Sequence, residues 1–154
     1  MDATAAIVLD GYRQVHQRIR AELQSLDPAL LHLAPAPDTS SIAVLVRHTL
    51  GSEGDVLCAV ADLPLPSPRD RDAEFGAIAA NTDRASLYAA LEAADRLLDE
   101  MGPHSTVERL EMIVERPPRP PRTGLGWLIE NYCHAREHLA HLELTRQILL
   151  QPTR

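Results

Sequence analysis

Residues 124–150 read GLGWLIENYCHAREHLAHLELTRQILL, and this stretch decides the fold. Leu128, Tyr132, Ala135, Leu139 and Leu142 recur at steps of three and four. A helix turns about 100° per residue, so these five form one apolar arc. His134 and His138 lie about 40° apart on a neighbouring face, one helical turn from each other. Trp127 and Asn131 continue that face toward the N-terminus. The face is turned roughly 60–120° from the apolar arc, which suits a cleft edge. His141 sits farther round, toward Glu130 and Glu137.

Three more segments carry the same period. The first runs from about Ala3 to Leu26, with Val8, Tyr12, Val15, Ile19, Leu23 and Leu26 on one side, and Asp27-Pro28 ends it. The second follows the N-cap run Asp38-Thr39-Ser40-Ser41 and continues to about Ala61. The third spans about Thr82 to Met101, with Leu87, Leu91, Ala94, Leu98 and Met101 as its stripe and Gly102-Pro103 as its stop. Between Ser105 and Glu115 the pattern fits either a short strand or a helical turn. Pro117, Pro118, Pro120 and Pro121 read as a stiff, extended spacer. The expectation is an all-α four-helix bundle. The connection between the second and third helices spans roughly twenty residues, more than a hairpin between antiparallel neighbours needs. It predicts a crossover and an up-down-down-up order.

Composition narrows the chemistry. The 154 residues suit a single domain over 1–154. All 15 basic residues are arginine, so Schiff-base, P-loop and general-base lysines are excluded. The formal net charge of −7 and the absence of a basic stripe argue against nucleic acid. Arg116, Arg119 and Arg122 read as part of a solvated loop. No apolar run reaches the roughly 18 residues of a membrane span, and the N-terminus lacks a signal-peptide pattern. The expected compartment is the cytoplasm. Cys58 and Cys133 are expected to be reduced. Pairing His48 with His138 would leave the two cysteines offset by roughly 7 Å along the helix axis, outside comfortable bridge geometry.

Seven histidines in a chain with 3% aromatics direct attention to metal or proton chemistry. His134 and His138 have the spacing of two imidazoles on one ion. His48 lies mid-helix in Val44-Leu45-Val46-Arg47-His48-Thr49. If the second and fourth helices pack antiparallel, it meets the pair and completes an open tripod. His16, His32 and His104 have no spacing partner and read as surface residues. Glu53 is about 140° round from His48 and reads as solvated. Ser52 and Asp55 share the His48 side; each is a solvated polar residue or a partner that orients an imidazole. Trp127 reads as core, or else as the wall of a pocket. Tyr12 and Tyr88 read as core residues with wet hydroxyls.

The stretches Leu45-Val46-Arg47-His48-Thr49-Leu50-Gly51-Ser52-Glu53 and His134-Ala135-Arg136-Glu137-His138-Leu139-Ala140-His141 resemble the DinB/YfiT-like superfamily of four-helix proteins. The resemblance covers nearly the whole chain. It implies that His48, His134 and His138 bind a divalent metal, with His141 a neighbour that joins or competes. It further implies hydrolysis or thiol transfer involving a low-molecular-weight thiol, and nothing in the residues chooses between them. Three imidazoles accept zinc, nickel, iron or copper. A small-molecule substrate and a homodimer complete the expectation. The rival readings are a non-catalytic metal- or small-ligand-binding, stress-associated bundle and a purely structural dimerising bundle.

Overall fold

The computed structural model describes residues 2–65, 70, 72, 75 and 82–151. Its elements are α1 (Ala3–Ser25), a 3-10 turn (Pro28–Leu30), α2 (Ile42–Ala61), α3 (Arg84–His104), α4 (Val107–Glu111), β1 (Ile113–Arg116), β2 (Arg119–Thr123) and α5 (Gly124–Leu149). The chain is mostly helical, as expected, with one small antiparallel sheet added. Most of the connection between α2 and α3 lies outside the described residues. None of the described helices is long and apolar enough to cross a membrane.

Short polar side chains start each long helix. Asp2 accepts from the Thr4 and Ala5 amides, Ser41 from Val44, Asp83 from Ser86 and Thr123 from Gly126. Each such cap contributes about 1 kcal/mol. α2 ends where Asp62 turns left-handed at φ 62°. α3 runs past the expected stop and includes Pro103. A proline in the last turn forfeits few ladder bonds. Ser105 then satisfies the helix end: its N–H donates to Gly102 O at 3.2 Å and its Oγ to Met101 O at 3.0 Å.

α1 packs on α3 and α5, and α2 packs on the same two helices. Leu9, Tyr12, Ile19 and Leu23 from α1 meet Leu57 from α2, Leu87, Leu91, Leu98 and Met101 from α3, and Trp127 and Leu128 from α5. Gly11 lets α1 and α5 approach closely, because a Cβ there would stand 2.7 Å from the Tyr132 ring. Polar contacts record the pairing. Tyr12 reaches Leu128 O and Arg18 reaches Glu143, while Arg13 meets Asp99 and the Asp2 amide meets Ser105 O.

The segment after α3 corrects the sequence reading. Both alternatives for 105–115 occur in turn: a helical turn, α4, then a strand, β1. The proline run is no spacer but the turn and second strand of a hairpin. Ile113 pairs with Thr123, Val114 with Arg122 and Arg116 with Arg119, around a cis Pro117–Pro118 peptide. Proline is confined to sheet edges, and a two-stranded sheet consists of edges. Arg109 on α4 anchors this unit to the end of α2, donating to Val60 O at 2.5 Å and Ala59 O at 3.2 Å. The hairpin thereby closes over one end of α2 and α5.

Candidate metal centre

The mid-helix position of His48 on α2 faces the His134–His138 turn of α5. The ring centroids lie 4.3 Å apart for His134 and His138, 5.3 Å for His48 and His134, and 4.9 Å for His48 and His138. One nitrogen from each of the three falls within 4.8 Å of the others. The Nε2 atoms of His134 and His138 are 3.0 Å apart. His48 is buried and the other two are half-buried. His141 is exposed; its ring stands 5.7 Å from that of His138, outside this group of nitrogens.

Burial lowers the pKa of His138, and the neighbouring His134 and His141 lower it further, to about 4 against the opposing charge of Glu137. It is therefore neutral at pH 7, the state in which imidazole binds metal. His138 Nδ1 is buried without a hydrogen-bond partner among the described residues. Three convergent imidazoles, with His138 held neutral, fit a divalent ion of the zinc, nickel or iron type.

The centre opens into a cavity of about 610 Å³. His48 and His134 face it together with Ser52, Asn131, Trp127 and Arg116. Trp127 satisfies both sequence readings: it is 1% exposed and it lines the cavity. Its Nε1 donates to Val114 O at 2.9 Å, which ties it to the hairpin. Arg116 is not a solvated loop residue. It pairs with Asp55 at 2.5 Å and lies over the Trp127 ring at 4.7 Å. Arg119 and Arg122 both meet Glu130, at 3.0 and 2.5 Å. The exposed Phe75 adds a ring 5.0 Å from that of His48, a contact the sequence did not suggest.

Asn131 ties three elements together. Its Oδ1 accepts from Tyr12 Oη at 2.9 Å and its Nδ2 donates to Ser52 Oγ at 2.9 Å. The Tyr12 hydroxyl is thus buried and bonded, not wet as expected. Burial foremost, then the electrostatic influence of Glu53, pushes its pKa well above the phenol range, against Arg116. Cys58 is buried and Cys133 exposed, both free, as the axial offset implied. Burial, with Asp55 and Glu100, raises the Cys58 thiol.

Two sequence readings fail together. His16 is not a surface residue, nor is Glu53 solvated; both are fully buried. His16 Nε2 meets Glu53 Oε2 at 2.9 Å and Nδ1 meets Asp95 Oδ1 at 2.6 Å. Arg20 closes the set at 2.6 Å from Asp95 Oδ2. His32 and His104 are exposed, as read.

A family model described as the DinB superfamily matches residues 11–142. The chain belongs to the DinB superfamily. Its fold is shared with a conserved protein from Enterococcus faecalis, at a TM-score of 0.79 and 18% identity, covering 96% of this chain and 97% of that one. It is also shared with a mycothiol-dependent maleylpyruvate isomerase, at 0.67 and 14%, covering 92% of this chain and 63% of the isomerase. Among curated proteins, none matches the sequence closely enough to count as a relative.

Proposed function

We propose that this DinB-superfamily chain is a metal-dependent enzyme acting on small molecules with a low-molecular-weight thiol. In this reading His48, His134 and His138 hold a divalent ion: zinc, nickel or iron. The observation that carries it is the convergence of three imidazoles, two of which, His48 and His134, line a cavity of about 610 Å³. The fold it shares with a mycothiol-dependent isomerase favours thiol chemistry over simple hydrolysis. A divalent ion there would lower the pKa of a thiol or water that it holds.

The chain's own residues do the remaining work. Burial and the clustering of imidazoles keep His138 neutral, so no proton must leave before a ligand nitrogen is offered. Trp127 supplies an apolar wall, and Arg116, held by Asp55 and by the ring face, keeps a cation beside it. The reading includes a single domain over 1–154 and a homodimer. It also includes an up-down-down-up order, which the α1–α5 contacts Tyr12–Asn131 and Arg18–Glu143 and the α2–α5 contact Ser52–Asn131 support.

Elemental analysis of the purified chain tests the centre. One equivalent of metal is expected in the wild type and none in His134→Ala. A wild type with no metal above background overturns the reading. Thiol-dependent turnover that survives chelation overturns the part assigned to the ion. Sedimentation at the mass of one chain rules out the dimer.

A further inference from the structure

The cavity lining holds one hydroxyl whose proton has no protein acceptor among the described residues. Ser52 follows His48 by four residues on α2, and Asn131 precedes His134 by three on α5, so each shares its histidine's face. Both line the cavity that His48 and His134 face. Serine and threonine hydroxyls within helices commonly turn back onto the carbonyl four residues earlier. Thr49 does so onto Leu45 O at 2.7 Å, and Ser25 onto Ala21 O at 3.1 Å. Ser52 does not. Among the described residues, its one hydrogen bond is the one it accepts from Asn131 Nδ2.

The order of donors explains why. Tyr12 is fully buried and its hydroxyl faces two oxygens, Leu128 O at 3.1 Å and Asn131 Oδ1 at 2.9 Å. A phenol beside two acceptors donates. The Asn131 oxygen is thereby engaged, and its amide nitrogen is directed at Ser52. Ser52 Oγ receives that bond, and its own O–H is left for the cavity. The nearby guanidinium is already committed, Arg116 to Asp55.

We propose that Ser52 is the hydrogen-bond donor to the anionic atom of the ligand beside the imidazole centre, a thiolate sulfur, with Asn131 and Tyr12 as positioning residues that aim it. This rests on the metal reading of His48, His134 and His138. It adds the residue that recognises the thiolate in the space they face.

The cobalt(II)-loaded chain provides the test, with 2-mercaptoethanol as the probe and the thiolate-to-cobalt absorption band as the readout. Ser52→Ala is expected to take up cobalt like the wild type but to bind the probe about tenfold more weakly, the scale of a hydrogen bond to a charged acceptor. Ser52→Thr, which keeps the hydroxyl, is expected to restore binding. Tyr12→Phe is expected to weaken it about threefold with cobalt uptake unchanged, as for one neutral hydrogen bond. Equal cobalt uptake and equal probe affinity in wild type and Ser52→Ala overturn the assignment of Ser52 alone. A Ser52→Thr variant as weak as Ser52→Ala overturns it too. A wild type that takes up no cobalt overturns the metal reading and this inference with it.

Discussion

The molecule contains two histidine centres that share only helix α2, and they are opposites. His16 sits among carboxylates, with Glu53 at one nitrogen and Asp95 at the other. His138 sits among imidazoles, with His134 and His141 beside it. Burial disfavours the charged ring in both places. At His138 nothing outweighs it, and the pKa falls to about 4. At His16 the bonds and charges of Glu53 and Asp95 outweigh it, and the pKa rises. Burial also raises Glu53 against the opposing pull of His16. The pair therefore holds one proton between Nε2 and Oε2, and the set of Arg20, Asp95, His16 and Glu53 sums to zero charge wherever that proton rests. One centre is closed and compensated, which suits a structural role. The other keeps His138 neutral and opens into a cavity, which suits a ligand. Burial alone does not decide what a histidine does; the groups at its nitrogens do.

The strongest way to break this comparison is to exchange the roles by mutation. His16→Ala leaves Glu53 in the core without its partner, and Glu53 Oε1 already lacks one among the described residues. Removing one side of a buried pair costs about 3–5 kcal/mol. That loss is expected in urea unfolding at pH 7, with metal uptake per folded chain unchanged. His138→Ala is expected to do the reverse, abolishing metal uptake while shifting the unfolding of the metal-free chain by less than about 1 kcal/mol. A His16→Ala chain as stable as the wild type would show that the closed centre contributes nothing.

The two centres also differed in how far the sequence revealed them. The long helices were legible because Leu87, Leu91, Leu98 and Met101 repeat at helical spacing, and all four are fully buried. The open centre was legible because His134 and His138 are four residues apart on one helix, so local geometry alone joins them. The partners of His16 are 37 and 79 residues away, and no local spacing joins them. A signal was nonetheless present. His16 falls four residues after Tyr12 and three before Ile19, inside the apolar stripe of α1. Glu53 continues the run Val46, Leu50, Leu57 and Val60 at spacings of four and three. A charged residue on a core stripe demands a partner, and two such residues on different helices could have been matched. Asn131 was noticed only as a neighbour of His134; its bond to Tyr12 depends on tertiary packing. The hairpin stayed hidden because its strands carry the prolines that read as a spacer.

A pH series of unfolding sharpens the contrast. Raised pKa values at His16 and Glu53 mean that the folded chain binds more protons there than the unfolded chain. Their contribution is fully present below the unfolded values and is lost as pH rises through the folded ones. The lowered value at His138 has the opposite sign. Between about 4 and the ordinary value near 6.5, the metal-free folded chain binds fewer protons at His138, so stability rises with pH. Each proton contributes a slope of at most about 1.4 kcal/mol per pH unit. Replacing His138 with Ala is expected to remove the acid-side rise, and replacing His16 and Glu53 together with Leu the alkaline-side fall. A His138→Ala chain that keeps the acid-side rise would assign that slope elsewhere.

The smallest expected effect tests where the shared proton rests. Asp95 is about a third exposed at its side chain, and burial opposes its charge. Bonds from His16 and Arg20 nonetheless hold it below the usual carboxylate range. Solvent screening discounts such a pair, so Asp95→Asn is expected to cost only about 1 kcal/mol. If the proton rests on His16, losing the Asp95 charge lowers the pKa of the ring and moves the proton toward Glu53. The nitrogen resonances of the His16 ring would then shift from the imidazolium pattern to that of a neutral tautomer at pH 7. If the proton already rests on Glu53, the wild type and Asp95→Asn share the neutral pattern. The doubly flanked imidazole at Nδ1 and Nε2 favours the first result, because both carboxylates gain a donated bond only when both ring nitrogens carry hydrogen.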